Sequence, residues 1–179
     1  MALLIHDANV LIDLIGIDLL DLALDLPFRM ATTDLVRREI ENQEQARALA
    51  SCIEKEKINI IASTIQEMSD IAASMGNYTR LSLADCSVLY HAAGLRGIVI
   101  TGDGKLRKEA EAKHVEVHGT PWILSQLVET KSISSSDAIV RMKMLMEINP
   151  RLPRKECEKL LEAWQLQMSK RTARTGKRA

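Results

Sequence analysis

The sequence predicts an α/β fold: a mostly parallel sheet of about five short strands flanked by helices, followed by a C-terminal helical extension. Three observations predict it. Short apolar runs without polar alternation recur along the first 119 residues, the mark of strands buried on both faces. Segments with helical periodicity separate each run from the next, as connections between parallel strands require. From Thr120 onward the strand-like runs stop and only helical patterns remain.

The elements follow in order. "ALLIH" reads as a buried strand and "NVLIDLIGIDLLDLALDL" as helix. "FRMATT" is a second strand, and the segment from Thr33 to Lys57 is helical with room for a break. "INIIA" is a third strand; helices over 64–75 and 82–94 are split by the "GNYTR" turn. "GIVIT" is a fourth strand, a helix runs to about Lys113, and "VEVHG" is a fifth strand. Thr120 can cap and Pro121 suits a first turn, so "WILSQLV" reads as helix. "SSSDAIVRMKMLMEI" and "LPRKECEKLLEAWQLQM" are two more helices, the second placing Cys157, Leu160, Leu161, Trp164 and Met168 at helical spacing. Residues 1–119 thus form an α/β unit, 120–168 a helical extension on or beside it, and 169–179 a basic tail without apolar anchors, expected to be disordered.

Composition narrows the function classes. Formal charge balances to zero over 179 residues, so contacts to nucleic acid have to be local. Cys52, Cys86 and Cys157 have no paired spacing and read as reduced thiols, neither a disulfide frame nor a zinc site. The apolar N-terminal run is broken by His6 and Asp7, too early for a signal peptide or a membrane span. The expectation is a cytoplasmic protein.

Four acids stand in telling places. Asp7 follows the first strand and Asp103 the fourth, and in open α/β sheets ligands bind outside the carboxyl ends of strands where the strand order reverses. Each is equally well read as a helix N-cap. At helical spacing Glu39 falls on the face of Leu35, Val36 and Ile40, and Asp85 falls among Leu81, Val88, Leu89 and Ala92. Asp85, near a helix start, also suits a capping role. Taken together the four suggest a carboxylate cluster, which cannot stay ionised without compensation. No run of buried Lys or Arg supplies it; a hard divalent cation such as Mg²⁺ or Mn²⁺ would.

The stretches "LLIHDANVLIDL", "TTDLVRREI", "LSLADCSVLYHA" and "IVITGDGKLRKEA" resemble, in the same order, the motifs of PIN-domain nucleases. Within that family the chain is most similar to the VapC-like toxins of prokaryotic toxin–antitoxin systems, in a branch with a helical extension. The resemblance implies a PIN-like nuclease domain over 1–119 and an endoribonuclease hydrolysing RNA phosphodiesters. It implies Asp7, Glu39, Asp85 and Asp103 as the metal-binding, catalytic acids, with Thr101 in support. A homodimer and an antitoxin protein are the partners it implies. Many members carry a further acid just after the position of Asp103, where this chain has Gly104, Lys105 and Leu106. A second metal would then be held weakly and arrive with substrate.

In that frame Asp103 is a metal ligand, and Gly102 and Gly104 let the backbone turn sharply and admit a phosphate. Lys105, Arg107 and Lys108 could contact RNA phosphates, or simply form a solvated face. "GDGKLR" is no dinucleotide loop, because Arg107 stands where the third glycine belongs. Two alternatives remain: a PIN-like module that binds without cleaving, and a haloacid-dehalogenase-type phosphatase. The phosphatase would use Asp7 as nucleophile and wants an acid where Asn9 stands. His6, His91, His114 and His118 lack metal-ligand spacing, and Asp13, Asp18, Asp21 and Asp25 read as a solvated helix edge. Met142, Met144 and Met146 read as core, and Lys170, Arg171, Arg174, Lys177 and Arg178 as a basic arm able to meet phosphates.

Overall fold

The computed structural model describes residues 1–78 and 80–175. The chain divides into two compact units, Met1–Thr120 and Pro121–Ala179.

The first unit is built on a five-stranded sheet in which every pair is parallel. The strands are β1 (Leu3–His6), β2 (Arg29–Thr33), β3 (Asn59–Ile61), β4 (Ile98–Ile100) and β5 (Val117–His118), in the spatial order β3-β2-β1-β4-β5. From β1 the chain moves outward through β2 to β3, then returns to the other side of β1 for β4 and β5. The order therefore reverses between β1 and β4, and their carboxyl ends border a crevice. Leu4, Ile5, Val99 and Ile100 are fully buried, which explains why these strands lack polar alternation.

The connections are α1 (Ala8–Gly16), α2 (Leu20–Leu24), α3 (Asp34–Glu39), α4 (Gln43–Glu54), α5 (Ile65–Met75), α6 (Leu83–Leu95) and α7 (Gly104–Ala112). Right-handed crossovers put helices on opposite faces when the chain moves in opposite directions along the sheet. Accordingly α6 packs over β1, β2 and β4 with α5 and α7 beside it, while α1 packs with α2 and α4. The helix expected over residues 9–26 is two helices, because Asp18 adopts a left-handed φ of 54°. The segment after Thr33 breaks at Ile40, whose ψ of 83° is not helical.

The second unit holds α8 (Thr120–Glu129) from Pro121 onward, α9 (Ser135–Ile148) and α10 (Arg154–Thr175), with α9 and α10 packed together. Helix α10 continues to Thr175, so residues 169–175 are helical where a disordered tail was expected; residues 176–179 lie outside the described residues. Met142 is buried, but Met144 is exposed, so the three methionines are not all core. The cysteines are free and buried. No helix among the described residues is long and apolar enough to cross a membrane.

Candidate active site

At the carboxyl edge, β1 and β4 end side by side. The Asp7 amide donates to the Ile100 carbonyl at 2.9 Å, tying the two strand ends together. Asp7 is 1% exposed and occupies the N-cap position of α1, yet its side chain makes no capping bond. Its Oδ2 instead accepts from Thr101 Oγ1 at 2.8 Å and from Asn9 Nδ2 at 3.3 Å. Burial pushes the carboxyl up to about 6, and the charge of Asp85 adds to the rise; the Thr101 hydrogen bond works against it. Thr101 is itself fully buried and accepts from the Asp103 amide at 2.9 Å. One hydroxyl therefore connects the first and fourth acids.

Asp103 performs the duty its position predicts. Its Oδ1 accepts from the amides of Lys105 at 2.7 Å and Leu106 at 3.0 Å, capping α7. The expected sharp glycine turn is absent: no described glycine has a positive φ. Gly102 and Gly104 nevertheless stand in the open, with nothing within 4 Å of where a Cβ would be. Their value is clearance, not backbone freedom.

Asp85 sits in the first turn of α6 in a reciprocal capping box. The Ser82 amide donates to Asp85 Oδ2 at 2.8 Å, and the Asp85 amide donates to Ser82 Oγ at 3.0 Å. Asp85 is half-buried, although its apolar surroundings predicted a buried position. Glu39 differs more. It is exposed, because α3 ends with it and the helical face drawn through Leu35, Val36 and Ile40 is cut short. Its carboxyl is nevertheless raised, first by partial burial and then by the charge of Asp85, against a lowering hydrogen bond from Ser82. An acid on the last turn of a helix also faces the negative end of the helix dipole.

The four acids therefore stand at one edge, coupled through Thr101 and through the charge of Asp85. Thr101 joins the Asp7 carboxyl to the Asp103 backbone, and Ser82 closes a capping box with Asp85. Asp85 is the member whose charge reaches both Asp7 and Glu39. Among the described residues, no three acid, histidine or cysteine side chains close into a cation cage. Asp103 is engaged with the α7 amides, and Glu39 is exposed. The donor chemistry fits a hard cation all the same. Oxygen-only donors whose ionisation is opposed by burial and by one another gain from a divalent charge, and Mg²⁺ binds through one or two carboxylates with water completing its shell.

Of the basic residues expected to meet phosphate, Lys105 and Lys108 are exposed on α7, while Arg107 is half-buried and donates to the Val117 carbonyl at 3.3 Å. Two supporting residues escaped the sequence reading. Asn9 stands two residues after Asp7, a spacing that favours a local side-chain bond, and Ser82 precedes Asp85 by three, the spacing of a capping box. Asp13 also departs from the solvated edge assigned to it: it is 5% exposed and accepts from Thr120 Oγ1 at 2.8 Å. His6 is buried, bonded through Nδ1 to the Ala31 carbonyl, and lowered to about 4 by burial.

The family model described as "DUF3368: PIN domain" matches residues 3–166, reaching through α8 and α9 into α10. Among solved structures, a PilT N-terminus domain protein from the hyperthermophilic archaeon Sulfolobus solfataricus P2 is similar at a TM-score of 0.42 and 11% identity. The similarity covers 70% of this chain and 93% of that one. No curated protein sequence matches.

Proposed function

The chain belongs to the PIN-domain family, whose members are generally nucleases, and from that premise we propose that it is an Mg²⁺- or Mn²⁺-dependent endoribonuclease. The observation that carries the reading is Asp7: a buried carboxylate, raised to about 6, that leaves its own helix uncapped and feels Asp85 at the crevice where the strand order reverses. Asp7 and Asp85 would hold the cation, with Glu39 and Asp103 flanking them. A divalent cation bound there supplies acidity to a coordinated water and neutralises charge on the scissile phosphate.

The chain's own residues orient and admit. Thr101 and Asn9 fix the Asp7 carboxyl by hydrogen bonds to Oδ2, and Ser82 fixes Asp85 through its backbone amide. The open flanks of Gly102 and Gly104 let a phosphate approach the backbone. Lys105 and Lys108 lie just beyond, where a nucleic-acid backbone would pass.

The test is cleavage of a labelled RNA during titration with Mg²⁺ and Mn²⁺, with single-stranded DNA as a control and calorimetric metal binding alongside. Cation-dependent RNA cleavage lost in Asp85→Asn, with the fold intact by circular dichroism, supports the proposal. RNA binding with no cleavage at any cation concentration overturns it in favour of a non-cleaving module.

A further inference from the structure

Two buried hydroxyls form a chain of hydrogen bonds where α3 packs on α6. Thr33 ends β2 and caps α3, its Oγ1 accepting from the Val36 amide at 3.2 Å. The same oxygen lies 2.7 Å from Ser87 Oγ, in the second turn of α6. Ser87 Oγ in turn donates to the Ala84 carbonyl at 2.7 Å. A hydroxyl carries one proton. Ser87 commits its own to the carbonyl, so Thr33 is the donor between the two oxygens, and the chain runs one way, from Thr33 through Ser87 to Ala84. Both side chains are fully buried, and the bond between them joins residues 54 positions apart.

An acid stands close to each end of this chain. Helix α3 has six residues and ends at Glu39, so Glu39 follows the Thr33 cap within two helical turns. Asp85 lies in the turn of α6 that Ala84 and Ser87 close. Each acid is thus carried on a segment pinned by the hydroxyls. Stability alone gives no reason for the pinning, because two facing apolar side chains of the same shape serve about as well. The hydroxyls add register. A short hydrogen bond is lost when one helix slides on the other by about an ångström, whereas an apolar contact tolerates the slide. A satisfied buried network holds one arrangement. We infer that Thr33 and Ser87 are positioning residues: their hydrogen bond sets the register of α3 on α6, and with it the separation of Glu39 from Asp85. The role assumes the cation site proposed above; both hydroxyls are buried away from cation and RNA and act only through the two acids.

The register can be read in the metal-free full chain. Spin labels on Arg37→Cys and Ala93→Cys, both exposed positions, report the separation of α3 from α6 by pulsed electron resonance, and the buried native cysteines stay unlabelled. Ser87→Ala is expected to shift or broaden the distance distribution. Thr33→Ser, which keeps the hydroxyl, should leave it as in the parent. Cation affinity by calorimetry should fall roughly tenfold in Ser87→Ala, the scale usual for a group that orients a ligand, and by less than about twofold in Thr33→Ser. A merely structural Ser87 would act independently of Glu39. The expected result is the opposite: once Glu39→Gln has weakened the site, adding Ser87→Ala should reduce affinity little further. Should Ser87→Ala fail to fold, Ser87→Cys carries the same test, because the longer hydrogen bonds of sulfur displace α3. An unchanged distance distribution in the folded variant overturns the inference, as do losses that add in full with Glu39→Gln. A parent that binds no cation, while Ser87→Ala still shifts the distances, overturns the proposed cation site and upholds the register.

Discussion

The junctions β1–α1 and β4–α7 are built alike and used differently. Each ends a buried parallel strand and places an aspartate in extended backbone at the N-cap position of the next helix. At β4–α7 the carboxylate caps, taking two amides of the first turn. At β1–α1 it does not; Asp7 is turned into the crevice toward Thr101 and Asn9. That arrangement costs free energy twice, once in burying a carboxylate and once in leaving a helix uncapped. Folding alone gives no reason for it. Of two acids that look the same in sequence, the one whose local structural duty is unfilled is the one the proposed cation site is built on.

Asp7→Asn tests that contrast most severely. Cleavage is expected to fall by about 10³ or more, the loss of several kcal/mol of transition-state stabilisation. The metal-free fold should gain. With the folded carboxyl at about 6 and the unfolded value at 3.8, the folded chain holds a proton that the unfolded chain has released. Stability of the metal-free parent therefore falls as pH rises through that window, by on the order of 3 kcal/mol in total. Urea unfolding in the presence of a chelator, repeated across the window, should show the decline in the parent and most of it missing in Asp7→Asn. Equal slopes in the two proteins would remove the basis for singling out Asp7.

Thr101→Val breaks the link between the junctions. The variant leaves buried Asp7 without a hydrogen bond that lowers its pKa, and the Asp103 amide without its acceptor. The expected cost is about 1–3 kcal/mol of stability at neutral pH, with cleavage down roughly 10- to 100-fold, the usual range for a group that orients a ligand. Thr101→Ser, which keeps the hydroxyl, should recover most of both. If Ser fails to recover activity while stability returns, the methyl and not the hydrogen bond matters.

The sheet was legible because its strands are buried on both faces and end in abrupt polar breaks; "GIVIT" and "FRMATT" left little room for another reading. Helix breaks were less so. Nothing local in "LIGIDLLD" requires the left-handed turn at Asp18, which depends on how α1 and α2 pack. For the site, the edge and the acids could be named, but not their states. Glu39 was placed on a buried face by continuing a helix that in fact ends there, since periodicity carries no information about where packing stops a helix. The pairing of Asp7 with Thr101 joins residues 94 positions apart, so no spacing rule reaches it.

Asp103 sharpens the comparison from the other side. Asp103→Asn retains an oxygen for the α7 amides and loses the charge, whereas Asp103→Ala loses both. The Ala variant should cost about 1 kcal/mol of stability through the cap, and the Asn variant only a few tenths. If the charge also serves a cation, both should lose roughly tenfold in metal affinity by calorimetry. Full metal affinity in Asp103→Asn would show that Asp103 is a cap and nothing more, and the difference between the junctions would then be complete.

The smallest effect expected lies in the residues that follow the two aspartates. After Asp7 the first turn of α1 bears no cation, and Val10 and Leu11 are fully buried. After Asp103 the chain exposes Lys105 and Lys108. Basic side chains for phosphate are therefore offered by the second junction and not by the first. Removing one lysine that pairs with a phosphate should raise the half-saturating RNA concentration a few-fold. It should also flatten the slope of log affinity against log salt by about 1, while cleavage at saturating RNA stays unchanged. Lys105→Ala with Lys108→Ala should then change the slope by about 2. Arg107→Ala should change it less, because that guanidinium is already engaged with the Val117 carbonyl. An Arg107 effect larger than that of the two lysines together would mean that the arginine leaves Val117 when RNA binds, and that α7 meets the phosphate through its half-buried side.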